Sequence, residues 1–173
     1  MADTPPSISV TADMTDVAGN PATQASRSAV KDTVAPTVSL NALSTINSVN
    51  VSSYSFSGTC SDNGRPVVTT IGSLTPSAVL CSAGVWLVSG VNLSLEADSP
   101  PNINVTVDHA DVNGNPAVQV TSSVLKDATL PTVTISALTP INEDNEATYS
   151  LSGTCSENTR TVTVLVGGVA PGV

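Results

Sequence analysis

Hydrophobic and polar residues alternate in short runs along this chain. In residues 103–108 an Ile and two Val residues occupy one set of alternate positions, and Asn, Thr and Asp occupy the other. In residues 53–59, Tyr54, Phe56 and Gly58 alternate with serines in the same way. Successive side chains of a strand point to opposite faces of a sheet, so both runs predict half-buried strands. Gly, Pro, Asn and Asp interrupt such runs every 8 to 12 residues or so, which is typical of an all-β protein.

The alternation predicts about seven strands within one stretch of the chain. Good helix formers never accumulate between them, so we predict no helical layer. Short strands at this spacing favour an immunoglobulin-like β-sandwich. The predicted strands cover residues 36–43, 53–59, 67–71, 79–81, 85–91, 103–108 and 118–125.

An internal repeat organises the sequence. The stretch Val105–Ala117 has an earlier copy at Val10–Ala22, an offset of 105 − 10 = 95 positions. Without a gap, residues 2–78 align with residues 97–173, and roughly half of the positions are identical, far above chance. The chain of 173 residues therefore holds less than two periods. We predict sandwiches in tandem: residues 1–31 end one repeat, 32–126 form a complete repeat, and 127–173 begin another.

Composition narrows the function classes. The net charge is −9 with five basic residues, which argues against nucleic acid and anionic membrane surfaces as partners. No apolar run approaches the roughly 18 residues of a membrane span, so this segment is not expected to insert in a membrane. Aromatic residues make up only 2% of the chain, so any core is thin and β-branched. The sequence offers no set of nucleophile, base and orienting group, and we predict that the protein is not an enzyme.

The three cysteines follow the repeat. Cys155 is the copy of Cys60, while the copy of Cys81 would fall at 81 + 95 = 176, beyond the 173 residues. One pair for each complete repeat predicts a disulfide between Cys60 and Cys81 and leaves Cys155 without its partner. Such a bond would indicate an oxidising, extracytoplasmic location. The alternative is two buried free thiols in a cytosolic domain.

Two single residues stand out. Trp86 is the only Trp, and on a Val-rich strand it is expected to anchor the core; the alternative is a platform for stacking a sugar. His109 is the only His, and its repeat copy is Met14, so the repeat does not require an imidazole there. We expect His109 to be a solvent-exposed strand residue.

Five short segments occur in a characteristic order and spacing: Asp32–Val38, Ser57–Thr59, Ala83–Trp86, Val105–Pro116 and Asp127–Val133. In this order and spacing they resemble the bacterial immunoglobulin-like (Big-type) tandem repeats of large surface and secreted adhesins. They cover essentially the whole chain. The resemblance implies a stalk of stacked, rigid domains outside the cell or on its surface that projects a distal binding region.

The acidic residues near the domain ends are candidate calcium ligands. Ca²⁺ takes six to eight oxygen ligands or so from carboxylates and carbonyls. Similar repeats in giant adhesins place Ca²⁺ between domains, so the resemblance implies an interdomain calcium ion. We expect the loop after residue 108 to face the following domain. The alternative is that these residues only cap turns through their own backbone. The candidates are Asp108, Asp111 and Asp127, with their copies Asp13, Asp16 and Asp32.

These observations favour a structural spacer in a bacterial extracellular adhesin or surface fibre, with neighbouring immunoglobulin-like repeats as its partners. The alternative is a binding module that contacts a glycan or a protein through its own loops or a sheet edge. The partial repeats at the two ends lack complementary strands. We therefore also expect head-to-tail self-association between molecules.

Overall fold

A computed structural model describes residues 7–169 of the chain. Within them the secondary structure is β, apart from one short 3-10 turn at Glu146–Thr148. No helix among these residues is long and apolar enough to cross a membrane. The chain divides into two compact units, Met1–Ala128 and Thr129–Val173.

Twelve strands are present in the described part. They are β1 Ser7–Ala12, β2 Ala25–Val30, β3 Ile46–Asn47, β4 Tyr54–Thr59, β5 Pro66–Ile71, β6 Val79–Leu80, β7 Val85–Val91, β8 Ile103–His109, β9 Val120–Val124, β10 Lys126–Asp127, β11 Val133–Ile135 and β12 Gly153–Cys155.

Most of the first unit is a domain of two antiparallel sheets and one short parallel pair, β3 with β10, around one hydrophobic core. We call it the central domain (residues 36–128). One sheet pairs β4 with β7, and residues 38–41 run along the other edge of β4. The other has the order β6-β5-β8-β9, and every pair in it is antiparallel. Side chains from both sheets form the core. The burial of alternate residues in β4 and β8 confirms the predicted half-buried strands.

Trp86 lies in this core with 2% of its surface exposed. Its ring meets Phe56 edge to face at 6.0 Å, and its Nε1–H donates to the Ser39 carbonyl oxygen at 3.1 Å. Gly58 makes this arrangement possible, because a Cβ at that position would overlap the Ser39 carbonyl and the Trp86 ring. Three of the four aromatic residues, Tyr54, Phe56 and Trp86, therefore form one cluster that joins residues 38–41 to the core.

A disulfide joins Cys60 and Cys81, whose Cα atoms are 6.0 Å apart. This is the pair that the repeat spacing predicts. Both residues are buried, and Cys155 is an exposed free thiol in the second unit. The disulfide ties the end of β4 to the turn between β6 and β7.

The structure corrects the expected exposure of His109 and the strand predicted at residues 36–43, and it adds two short strands. Of residues 36–43, Val38 alone forms a β-bridge, to Cys60, so no regular strand is present there. His109 is buried with 4% exposure, contrary to the expectation that it is solvent-exposed. Its Nδ1 lies 2.9 Å from the Pro66 carbonyl oxygen, so the tautomer protonated at Nδ1 donates there. The strands β3 and β10 have two residues each and pair in parallel, although Ile46 and Lys126 are 126 − 46 = 80 positions apart in sequence. Two residues are too few to show an alternating pattern, so the sequence does not predict these strands.

Residues before the central domain form the hairpin β1–β2. Its register runs from Ser7 opposite Val30 to Ala12 opposite Ala25. Every residue of both strands is exposed, including Ile8 and Val10. The hairpin is the copy of β8–β9, in which the residues equivalent to Ile8 and Val10 are buried.

The second unit repeats hydrogen bonds of the central domain at an offset of 95. The Tyr149 hydroxyl donates to the Thr139 carbonyl oxygen at 2.6 Å, just as Tyr54 donates to Ser44 at 2.6 Å. The paired hydroxyls of Thr134 and Thr154 likewise copy Ser39 and Thr59, both at 2.7 Å. Sequence identity between the copies is thus accompanied by the same local structure.

Candidate functional site: the two ends of the central domain

A tight loop between β8 and β9 forms one end of the central domain. The Asp111 N–H donates to the Asn115 carbonyl oxygen at 3.1 Å, and the Ala117 N–H donates to that of His109 at 2.8 Å. Gly114 has a φ of +91°, a conformation that residues with a side chain rarely adopt. The Gly-Asn-Pro motif therefore fixes a closed loop and does not continue the strand.

Asp111 is the centre of this loop and is 97% buried, since its exposed fraction is 3%. Its Oδ1 accepts backbone N–H groups of Asn113 at 2.8 Å and Asn115 at 2.9 Å, and its Oδ2 accepts the Asn115 side-chain amide at 2.7 Å. The Asn115 side-chain bond is the main cause that lowers the pKa of Asp111 below its usual value, although burial acts in the opposite direction. The carboxylate is therefore ionised and satisfied by its own loop.

The same loop holds the segment that enters the domain. The Asn113 side-chain amide donates to Asp32 Oδ2 at 2.7 Å, and the Asn115 amide donates to the Asp32 carbonyl oxygen at 3.1 Å. We call Asp32, Asp111, Asn113 and Asn115 the entry clasp. The loop thus contacts the segment that precedes the domain. The expectation that it also faces the following domain stays a prediction.

The hairpin contains the same loop without the clasp. Asp16 Oδ1 accepts N–H groups of Ala18 and Asn20, and Oδ2 accepts the Asn20 side chain at 2.8 Å. The pKa of Asp16 is lowered by the same Asn side-chain bond as that of Asp111. The copy of Asn113 is Ala18, which has no amide to donate. The bonds that close the loop are therefore present in both copies, whereas the contact from Asn113 to Asp32 is found in the central domain.

The other candidate carboxylates lie in different places. Both oxygens of Asp108 accept Gln119 Nε2, at 2.9 and 3.0 Å, and Asp13 and Gln24 form the matching pair in the hairpin. Asp127 is in β10, opposite Asn47. Within residues 7–169 no group of three or more His, Cys, Asp or Glu side chains is placed to hold a metal ion. Asp32 and Asp111 meet in one network, and N–H groups occupy their oxygens in this arrangement.

The other end of the domain is built from its first and last short strands. Ile46 and Asn47 of β3 lie opposite Lys126 and Asp127 of β10 in parallel register, and the Ile46 N–H donates to the Leu125 carbonyl oxygen at 2.9 Å. Two further bonds tie the backbone of Lys126 to Ser99, at 2.7 and 3.0 Å.

Lys126 of β10 forms an ion pair with Asp98. Lys126 Nζ is 2.5 Å from Asp98 Oδ1, with the two side chains 4% and 30% exposed. Asp98 also accepts the Ala128 N–H at 3.1 Å. A buried ammonium group is costly unless it is paired, so Asp98 is required for Lys126 to be buried here. We call β3, β10, Asp98 and Lys126 the exit clamp.

Sequence reasoning missed Asn113, Asn115, Asp98 and Lys126 as joint residues. A signal was available for Asn115, Asp98 and Lys126, because each is identical in the other copy, as Asn20, Asp3 and Lys31; Asp3 lies outside the described residues. Asn113 carries no such signal, since its copy is Ala18. Its role depends on Asp32, which is 81 positions away.

Comparisons with known proteins give only distant likeness, to solved structures. No protein-family model and no curated protein matches the chain. A solved structure concerning host cell surface retention of a 1.5-MDa bacterial ice-binding adhesin is similar with a TM-score of 0.44 and 23% sequence identity. The match covers 78% of this chain and 46% of that chain. This likeness is too distant to transfer a function.

Proposed function

We propose that the chain is a structural spacer from a bacterial extracellular adhesin or surface fibre, in which immunoglobulin-like sandwiches in tandem project a distal binding region. Residues 32–126 are the one complete repeat. Support comes from the 95-residue period, from the sequence resemblance to adhesin repeats, and from the copied hydrogen bonds of the partial repeats.

The parallel pairing of β3 with β10 is the observation that carries this proposal. The chain enters the domain before β3 and leaves it after β10. Tension along the polypeptide therefore pulls these two parallel neighbours in opposite directions along their length. Their hydrogen bonds are loaded together in shear and do not open one at a time, so the exit clamp is suited to transmit force.

The disulfide and the entry clasp support the same role. Closing a loop of about 21 residues by the Cys60–Cys81 bond contributes roughly 3 kcal/mol by restricting the unfolded chain. A disulfide of this kind also favours an extracytoplasmic location. The entry clasp anchors Asp32 and so limits the angles at which the preceding segment enters the domain.

Pulling direction tests the spacer function. The chain is stretched through its termini and, separately, through handles at Ser48→Cys and Ala128→Cys in a Cys155→Ser background. The second geometry pulls on the same ends of the paired strands and unzips them. We expect the central domain to unfold at a clearly higher force through the termini. Equal forces in the two directions would contradict a clamp loaded in shear.

Calcium is the alternative means of holding the entry clasp. In the structure, N–H groups point at the carboxylates of Asp32 and Asp111, so hydrogen bonds alone close the joint. If the side-chain amides of Asn113 and Asn115 turned over, they would present oxygens, which are ligands that Ca²⁺ accepts. We expect the melting temperature of the oxidised chain to be the same in excess calcium and in excess chelator. A rise of several degrees with calcium, abolished by Asp111→Asn, would assign the joint to calcium.

A binding module is the alternative function, and one surface favours it. An open groove of about 460 Å³ lies beside β7 and the loop that precedes β6, with Leu74, Pro76, Val79 and Leu87 among its lining residues. We expect no binding when the labelled chain is applied to glycan arrays and host-cell proteins. Specific binding that Leu87→Asp abolishes, and that Leu95→Asp on another exposed surface preserves, would establish the binding module instead.

A further inference from the structure

The hairpin and the second unit carry complementary parts of one repeat. Residues 7–30 are the copy of β8–β9, and residues 161–166 are the copy of β5. In the central domain, β5 and β8 are neighbours in one sheet. We propose that β1 of one molecule pairs with residues 161–166 of a second copy of this chain, so that molecules associate head to tail.

The central domain supplies the register for this pairing. Val67 lies opposite His109, Thr69 opposite Val107, and Ile71 opposite Val105. Shifted by 95 positions, these pairs become Val162 with Met14, Val164 with Ala12, and Val166 with Val10. Residues 161–165 of the second unit are available for such pairing, since in the structure they belong to no strand and pair with none.

Apolar side chains that are buried in the central domain are exposed in the hairpin and in the second unit. Val105 is fully buried in the central domain, whereas its copy Val10 is 59% exposed. Ile71 is likewise fully buried, whereas its copy Val166 is 49% exposed. Exposed apolar side chains along a strand edge favour association with another strand. The pairing would bury the exposed apolar side chains of both strands through the contacts that β5 and β8 make in the central domain.

The residues that differ between the copies keep the two surfaces compatible. The buried pair Thr69–Val107 becomes Val164–Ala12, so the added apolar group on one strand faces a smaller side chain on the other. The buried His109 next to Pro66 becomes Met14 next to Thr161, which removes an imidazole from the interface. Each position of the proposed core therefore holds an apolar side chain.

We infer that the partner is a second copy of this chain, because every chain carries both surfaces: β1 of the hairpin and residues 161–166 of the second unit. The hairpin of the first molecule adds to the second unit of the next, and that molecule presents its own hairpin in turn. The described partial repeats contain no counterpart of β7, the strand that supplies Trp86 to the complete core. The association is therefore expected to be modest in affinity and strongly dependent on concentration.

Sedimentation velocity of the full oxidised chain over about 10 to 1000 µM, the range that covers weak affinities, tests the association. We expect the weight-average mass to rise with concentration in the wild type. Val10→Asp and Val166→Asp each place a charge in the interface and should keep the chain monomeric. Val17→Asp is the matched control, because its copy Val112 stays 73% exposed in the central domain. A monomeric wild type, or loss of association in Val17→Asp alone, would overturn the proposal.

Cysteine cross-linking tests the register. The hydroxyls of Thr70 and Thr106 are 2.7 Å apart, so their copies Leu165 and Thr11 are expected to face each other across the interface. Thr11→Cys with Leu165→Cys, in a Cys155→Ser background, should give a ladder of disulfide-linked chains on oxidation. Thr11→Cys with Thr161→Cys, displaced by four residues or about 13 Å, should give none. A ladder from the displaced pair, or a disulfide within one chain, would contradict the proposed pairing.

Discussion

Gly58 allows the core to pack closely because it has no side chain. Ser39, Gly58 and Trp86 meet where the Trp86 indole donates to the Ser39 carbonyl oxygen. The same glycine recurs as Gly153, where a Cβ would overlap the Thr134 carbonyl. The Ser-Gly-Thr motif of the repeat is therefore explained by the close approach of a neighbouring backbone segment.

Gly58→Ala is expected to destabilise the central domain by about 1 to 3 kcal/mol, because the added methyl group overlaps backbone that cannot move without breaking the Trp86 bond. Urea unfolding followed by Trp86 fluorescence measures the change. Ser89→Ala, at an exposed position of β7, is the control and should have little effect. An unchanged midpoint for Gly58→Ala would show that this contact is not tight.

Asp111 is expected to make stability depend on pH. Its pKa in the folded chain lies below the usual value of 3.8, so the ionised form is favoured by folding. This contribution is complete above pH 3.8 and is lost as the pH falls through the folded pKa. Asp111→Asn should therefore be less stable than the wild type at pH 7, and the difference should shrink on acidification below about pH 3.8.

Asp16→Asn is the matched control for this comparison, since Asp16 makes the same loop bonds in the exposed hairpin. It should leave the unfolding of the central domain unchanged at every pH. A difference between Asp111→Asn and the wild type that does not vary with pH would show that the carboxylate charge is not involved.

Residue-level prediction succeeded where a role depends on neighbours in sequence. The alternation in residues 103–108 indicates which side chains of β8 are buried, and the structure confirms it. It failed for His109, because a polar residue next to Asp108 looks exposed until the Pro66 carbonyl oxygen is placed beside it. The repeat copy Met14 is apolar, which was the available evidence for a buried position.

At the scale of elements, the disulfide joins two segments that do not pair with each other. Cys60 follows β4, and Cys81 follows β6, so the bond crosses between the two sheets of the central domain. Only part of the element set was predictable. Most strands with several alternating residues were found, although residues 36–43 form only a bridge at Val38. The strands β3 and β10 have two residues each and form only because the fold brings a parallel partner to them.

Cys60→Ser with Cys81→Ser is expected to lower the stability of the central domain by roughly 3 kcal/mol, because the unfolded chain regains the freedom of the closed loop. Chemical denaturation in the presence and absence of reductant measures the effect. Cys155→Ser removes the exposed thiol of the second unit and should leave the midpoint unchanged. If reduction does not shift the wild-type midpoint, the disulfide does not stabilise the domain.

At the scale of the whole molecule, the repeat supplied most of what could be predicted. It indicated the disulfide pair and the copied loops, because identical residues at a constant offset adopt the same local bonds. It did not reveal the entry clasp or the exit clamp. These depend on contacts between residues that are distant in sequence, such as Asp32 and Asn113. Asn113 is in addition replaced by Ala18 in the other copy.

Single-molecule stretching of the 173-residue chain from its two ends tests the central claim that the complete repeat is a closed spacer that resists tension. Cys60 and Cys81 are 21 positions apart, which corresponds to about 76 Å when extended, and their Cα atoms are 6.0 Å apart in the fold. We expect one cooperative unfolding step for the central domain. Under reducing conditions that step should lengthen by about 70 Å, as the loop closed by the disulfide is released. Gradual extension without a step, in oxidised and reduced chains alike, would contradict a spacer that resists tension.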